Sequence, residues 1–180
     1  MFFSLSGKRF PPTIIFKGSP GGRIQKREFP TFPANAFYDC QPKAWCDESV
    51  MLTWVEKVVK PWADSVPIGV VPLLILDSFK VHLQGSVTDA IQDCGVELEH
   101  NPGGLTGLCQ PVDVGINKPF KGLIKKRWNE WMMEEGLVGA VTKPSSRKLV
   151  AEWIVGSYNE LSDFIVKNSW KKTNFSWFFE

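Results

Sequence analysis

The stretch LLILDSFKVHL (Leu73–Leu83) decides how this chain is read. It closes an apolar run, Ile68–Leu76, that holds one Gly and one Pro and ends abruptly at Asp77. The run is short, β-branched in part and shows no polar alternation. That is the pattern of a strand covered on both faces, hence a parallel, central one. An acid directly after such a strand stands at the carboxyl end of a sheet, the edge where α/β folds bind ligands. A helix cap or turn acid is the plainer alternative, since Ser78 and a Gly-containing stretch follow.

Working outward, the flanks supply the rest of an α/β fold. Asp47-Glu48-Ser49 precedes a helical pattern of Met51, Leu52, Trp54, Val55, Val58, Val59 and Trp62, which Pro61 ends or kinks. Gln84–Cys94 reads as a short helix closed by Gly95, and Val96–Glu99 alternates like a strand. Upstream, Met1–Leu5 and Phe10–Phe16 flank Ser6-Gly7-Lys8-Arg9 and read as a hairpin. Lys17–Pro33 is rich in Gly and Pro and reads as irregular. Downstream, a helix spans roughly Lys118–Met133, with Pro119 in its first turn, and two more lie near Ser146–Tyr158 and Ser162–Trp170. A doubly covered mixed sheet is the natural architecture for this order.

Composition bounds the class. The chain has 180 residues, 43% hydrophobic and 22% charged, which suits one soluble globular domain. Eight Trp and 13 Phe against 2 Tyr imply a substantial core or an adhesive surface. The nine-residue apolar run falls far short of the roughly 20 residues of a membrane helix. The amino terminus lacks a basic region and an adequate apolar region for secretion. The four cysteines, at 40, 46, 94 and 109, show neither CxxC nor zinc-ligand spacing and read as reduced. A nuclear or cytoplasmic compartment fits, and secretion does not.

Net charge is +2, unevenly spread: +5 over residues 1–30, −7 over 31–113 and +4 over 114–180. An acidic middle between basic ends suits a cation site flanked by polyanion-binding surfaces, and equally an ordinary solvated surface. A second acid, Asp113, lies in QPVDVG (Gln110–Gly115) just before the long helix, 36 positions after Asp77. Two carboxylates at one sheet edge can hold a divalent cation, because hard cations take anionic oxygens. On the long helix, Lys118, Lys121 and Lys125 fall within about 60° of one another, with Lys126 and Arg127 beside them. They form either a phosphate-binding face or a solvated one. Trp128, Trp131, Trp153 and Trp170 read as core packing, with a partner surface as the alternative.

Several longer motifs occur in order: PPTIIFKG (Pro11–Gly18), LLILDSFKVHL (Leu73–Leu83), PGGLTGLCQPVDVGINKPFK (Pro102–Lys121), WNEWM (Trp128–Met132) and IVKNSWKKTNF (Ile165–Phe175). Together they resemble the DDE-superfamily endonuclease domain of pogo/Tigger-type transposases, a group that includes Jerky-like and centromere-protein-B-like proteins. The resemblance covers nearly the whole chain. It implies a ribonuclease-H-like mixed sheet with flanking helices, over residues 1–135, and a C-terminal helical extension of the same domain over 136–180. It also implies Mg²⁺- or Mn²⁺-dependent cutting and joining of DNA. Asp77 matches the family's second catalytic and metal-binding acid and Asp113 its third. His82 falls where the family commonly has a His, and with Asn117 is a candidate for the layer behind the acids. Gln110 and Lys118 match motif positions without a transferable role.

One departure changes the expectation. The family's first acid lies on a central strand upstream of the segment resembling Met1–Gly18. Asp39, Asp47 and Glu48 come too late, in the wrong elements, to replace it. The expected fold therefore lacks the first central strand, and the expected chain is inactive alone. Its implied partners are DNA and a second copy or full-length relative that supplies the strand. A DNA-binding or protein-interaction module without catalysis is the competing expectation.

Overall fold

The computed structural model describes residues 1–138, 141–142 and 144–173. Two parallel strand pairs form its framework. β1 (Thr13–Lys17) pairs with β2 (Phe37–Gln41), in register Thr13 to Phe37. β3 (Leu73–Leu76) pairs with β4 (Glu97–His100), Leu73 opposite Glu97. Parallel pairing needs a crossover. In the first pair it is the connection 18–36, wound into two helical turns, Ile24–Glu28 and Phe29–Thr31. Phe16, Phe29, Phe32 and Tyr38 pack on one another there, with ring centroids 5.2–6.5 Å apart. In the second pair the crossover contains the helix α3 (Gly85–Gln92), stopped where Gly95 takes φ +74°.

Ahead of β3, α1 (Glu48–Trp54) runs through a wide turn, Val55–Val59, into α2 (Lys60–Asp64). Asp47 caps it, its carboxylate accepting from the Val50 amide at 3.1 Å. Pro61 neither ends nor breaks this run. A proline ring collides with the carbonyl four residues earlier, and Lys57, the residue concerned, lies in the wide turn. The same arrangement recurs twice. Pro30 follows the wide turn that holds Lys26, and Pro119 follows a wide turn over Val112–Ile116 that holds Gly115. Widening the helix at that carbonyl accommodates the ring.

After β4 come α4 (Thr106–Cys109), the turn Val112–Ile116 and α5 (Asn117–Trp131), which ends in another wide turn, Met132–Gly136. A short antiparallel pair, β5 (Leu137–Val138) and β6 (Val141–Thr142), leads to α6 (Arg147–Asn159) and α7 (Asp163–Lys171). Ser146 and Ser162 cap the last two, as their positions in the sequence suggest.

Three sequence expectations are corrected. The strand begins at Leu73; Ile68, Val70 and Val71 are exposed, with no element among the described residues packed over the approach to β3. β3 is not central, since β4 is its single hydrogen-bonded neighbour among the described residues, and it is not covered along its whole length, since Leu73 is 38% exposed. The hairpin is reduced to one antiparallel bridge, Phe3 to Arg9, around Gly7, and β1 finds its partner in β2 instead. The last motif of the family resemblance runs to Phe175, so its final two residues lie outside the described ones.

The core is divided. One cluster joins Leu74, Val87, Ile91 and Val96 to Met51, Val55, Val59 and Val81, so α1–α3 cover the β3/β4 pair. A second joins Phe3, Ile116, Tyr158, Leu161 and Val166. A small third, Ile14, Ala36 and Val155, seats β1 on α6. Trp131 and Trp153 are buried against each other, centroids 5.6 Å apart, as the core reading requires, whereas Trp128 is 44% exposed.

The amino-terminal turn is clamped to the end of α6. The Arg9 guanidinium donates to the carbonyls of Tyr158, Asn159 and Leu161, groups a helix terminus leaves unpaired. The Tyr158 hydroxyl donates to the Phe10 carbonyl at 2.7 Å, and burial pushes its phenol well above the usual range. Tyr158→Phe is expected to cost about 1–3 kcal/mol, since it strands a buried acceptor. The pH dependence follows from the direction of the shift. With the folded pKa raised, stability is complete below the unfolded value of about 10 and falls as pH rises above it. Chemical denaturation between pH 8 and 11 should show that fall in the wild type and a shallower one in Tyr158→Phe. Equal slopes would contradict the clamp.

Candidate metal and nucleic-acid site

Asp77 follows the last residue of β3, so the parallel pair delivers its carboxylate to the carboxyl edge of the sheet. Three groups fix it there. Oδ1 accepts from the Phe79 amide at 3.1 Å and lies 2.6 Å from His82 Nδ1, and Oδ2 accepts from Gln110 Nε2 at a long 3.4 Å. The carboxylate can only accept, so His82 carries its proton on Nδ1. The loop that holds His82 is tied to the end of β4: His100 Nε2 meets the His82 carbonyl at 3.2 Å, and Ser78 Oγ donates to the Asn101 carbonyl. The β3–α3–β4 unit therefore orients Asp77 from both of its strands.

Asp113 arrives from the other side. It sits exposed in the wide turn Val112–Ile116, its Oδ1 accepting from Asn117 Nδ2 at 2.6 Å. Asn117 thus stands behind Asp113 as His82 stands behind Asp77. Gln110 links the two acids: its side chain reaches Asp77, and its carbonyl accepts from the amides of Asp113 and Val114 at 3.0 Å. No group of three or more His, Cys, Asp or Glu side chains suited to a metal occurs among the described residues. The two sequence-predicted acids are linked through Gln110 but do not form such a group with His82.

Beside the site lies a mostly apolar cavity of about 680 Å³. Thr13 and Ile15 of β1 line one wall, Leu73–Leu76 of β3 another, and Asp77, His82, Asn101 and Gln110 close one end. Three buried polar atoms of its lining have no hydrogen-bond partner: Thr13 Oγ1, Asn101 Nδ2 and Gln110 Oε1. Asn101 is 97% buried. Sequence reasoning passed over it, although it directly follows β4 and stands at the same carboxyl edge as Asp77. The rule that singled out Asp77 would have found it.

The basic face is mixed. Lys118, Lys121, Lys125 and Lys126 are exposed, and Lys126 approaches Glu130 at 3.9 Å across one helical turn. Arg127, which the sequence pattern groups with them, turns toward α6. Its Nε donates to Ser157 Oγ at 3.2 Å, its Nη2 pairs with Glu160, and its guanidinium lies against Gly156. Exposed Trp128 joins the lysines on the outer side of α5.

This geometry can be set against known proteins. Residues 4–170 match the DDE superfamily endonuclease family. The chain belongs to that family. Among curated proteins it is similar to "Pogo transposable element with KRAB domain" from Mus musculus and from Homo sapiens, 27% identical to each over 175 residues. Those matches cover 94% of this chain and 27% of each relative, so the chain spans about a quarter of their length. No solved structure matches. The domain is thus a pogo-like member of the DDE endonucleases, with the α/β composition expected of one. No helix among the described residues is long and apolar enough to cross a membrane.

Proposed function

We propose that residues 1–180 form a transposase-derived DDE endonuclease domain that binds DNA but does not cut it unaided. The observation that carries this reading is the carboxyl edge of β3. Asp77 is held by His82, Phe79 and Gln110 and coupled through Gln110 to Asp113, with no metal-suited group that includes a further acid among the described residues. The two carboxylates are hard ligands of the kind a divalent cation takes. Asp77 and Asp113 would hold Mg²⁺ or Mn²⁺, with His82 and Asn117 orienting them. When bound, such a cation supplies charge stabilisation for phosphoryl transfer. DNA strand cleavage and transfer is the ancestral reaction on this reading, and the nucleus its compartment.

Among the described residues β1 and β3 each pair with a single strand and both line the cavity, which supports a further part of the proposal. A strand from a second copy or a full-length relative, bringing the family's first acid, would complete the sheet. The exposed Lys118, Lys121, Lys125 and Lys126 are the DNA-contacting set, with Arg127 holding their helix against α6. The same lysines, together with exposed Trp128, favour the second reading, a binding module without catalysis.

Two measurements test these readings. The purified chain with supercoiled plasmid and Mg²⁺ or Mn²⁺ should give no nicking; robust nicking lost in Asp77→Ala would overturn the proposed inactivity. Duplex DNA should bind with log K falling roughly 3 units per tenfold rise in salt if about three lysines meet phosphates. The triple variant Lys118→Glu, Lys121→Glu, Lys125→Glu should lose that binding. Salt-insensitive binding, or none, would remove the DNA-binding claim.

A further inference from the structure

α5 turns one stripe outward. At about 100° per residue, Trp128, Lys121, Lys125 and Lys118 fall within about 80° of arc and span about 15 Å along the axis. All four are exposed, Trp128 to 44%. Lys118, Lys121 and Lys125 form no ion pair among the described residues, unlike Lys126, which lies off the stripe and approaches Glu130. The helix beneath is fixed in place. Phe120 packs edge-on against Tyr158, Trp131 packs against Trp153, and Arg127 is tied to Ser157 and Glu160.

Gly122 makes a notch in this face. Its helix neighbours at i−4, i+3 and i+4 are Lys118, Lys125 and Lys126. Glycine weakens a helix interior relative to alanine. Yet a Cβ at Gly122 would meet nothing within 4 Å, so no packing inside the chain calls for the missing side chain. An anion can approach the helix backbone closely there, with three ammonium groups around it. Lysine heads are point charges on flexible stems, and Arg127 faces α6 instead of the stripe. The stripe therefore offers charge without the bidentate fork that reads a base edge, which suits phosphates in any sequence.

Trp128 decides which form of nucleic acid fits. Its ring joins no aromatic pair and its indole N–H no hydrogen bond among the described residues. In a duplex the faces of the bases are stacked on one another and closed to a side chain. In a single strand they are open, and every base has a face that an aromatic ring can cover. We propose that the outer stripe of α5 is a site for single-stranded DNA, with phosphates on Lys118, Lys121 and Lys125 and a base stacked on Trp128. The proposal rests on the DNA-binding reading of these lysines and names the form of DNA they hold. A stacked strand advances about 3.4 Å per nucleotide, so about four or five nucleotides cover the stripe. A duplex still meets the lysines but leaves Trp128 without a base.

Fluorescence anisotropy with labelled probes of equal length, at one salt concentration, reads this on the 180-residue chain. The probes are an oligothymidine, a duplex, and an abasic strand that keeps the phosphates and lacks the bases. The wild type should bind the oligothymidine more tightly than the duplex and about 5–150-fold more tightly than the abasic strand, the range that stacking of one base on an aromatic ring supplies. Trp128→Ala should lose that factor on the oligothymidine, leave the duplex and abasic affinities unchanged, and keep the wild-type salt dependence, since it removes no phosphate contact. Trp128→Phe, which retains a ring, should recover most of the loss. The abasic comparison uses the wild type alone and so stands even where a circular dichroism melt shows that a variant fails to fold. A duplex bound more tightly than the oligothymidine, equal binding of the abasic strand and the oligothymidine, or wild-type oligothymidine affinity in folded Trp128→Ala would overturn the single-strand site and leave the DNA-binding reading standing. No probe bound by the wild type would overturn both.

Discussion

Gly115→Val is expected to lower stability by about 3 kcal/mol or more, the upper end of what overpacking costs. A Cβ at Gly115 would stand 2.7 Å from Ser169 Cβ and 3.1 Å from Ser169 Cα, closer than atoms tolerate. The obstacle is helix backbone rather than the end of a flexible side chain. Ser169 is 1% exposed, and its hydroxyl is bonded to the Val166 carbonyl at 2.7 Å. Relief therefore requires α7 to move off the turn Val112–Ile116. The intrinsic gain from replacing a helical glycine, at most about 1 kcal/mol, is too small to offset this. For a chain of this size each kcal/mol lowers Tm by roughly 2–4 °C, so a fall of about 6–12 °C or more should appear on thermal denaturation. A change within 1 °C would show that α7 does not seat on Gly115. The position also bears on function, because the displaced turn is the one that presents Asp113.

The legible parts of this molecule are those set by neighbours in sequence. Asp77 stood out because an apolar run ends at it without transition, and Asp47, Ser146 and Ser162 cap helices from the places where capping residues belong. Gly95 closes α3 as its position implies. What could not be read depends on contacts from far along the chain. Apolar character in Ile68–Val71 says strand, but among the described residues no element packs over that approach and Ile68, Val70 and Val71 are exposed. The turn at Ser6-Gly7 is genuine, yet β1 pairs across a long crossover with Phe37–Gln41, a stretch with polar residues that gives no strong strand signal. Pro30, Pro61 and Pro119 read as breaks or starts, whereas wide turns carry the helices through them. At the site, the two acids were legible as motif positions. The link between them was not, since Gln110 and Asp77 are 33 positions apart and meet only because β3 and the turn after α4 converge. Arg127 shows the opposite error: its place in a basic run suggests phosphate, while its partners lie on α6.

Ile91→Ala and Leu161→Ala are expected to cost about 2–5 kcal/mol each, and to affect different halves of the site. Both side chains are fully buried, but they belong to separate clusters. Ile91 packs under the β3/β4 pair with Leu74 and Val87, in the core from which Asp77 is projected. Leu161 packs with Ile116, Tyr158 and Val166, in the core that seats the Asp113 turn. With no shared cluster partners, the double variant should lose the sum of the single losses to within about 0.3–0.5 kcal/mol. Hydrogen exchange separates the two regionally. Ile91→Ala should speed exchange across Leu73–Leu76 and Glu97–His100, and Leu161→Ala across Val112–Ile116 and α7, each leaving the other region close to wild type. Uniform acceleration by either variant would mean one cooperative core. On a divided core the geometry between the acids is set by what spans the gap, and the connection this chain supplies there runs through the Gln110 amide and carbonyl. The distance between Asp77 and Asp113 should then respond more to Gln110 than to either core.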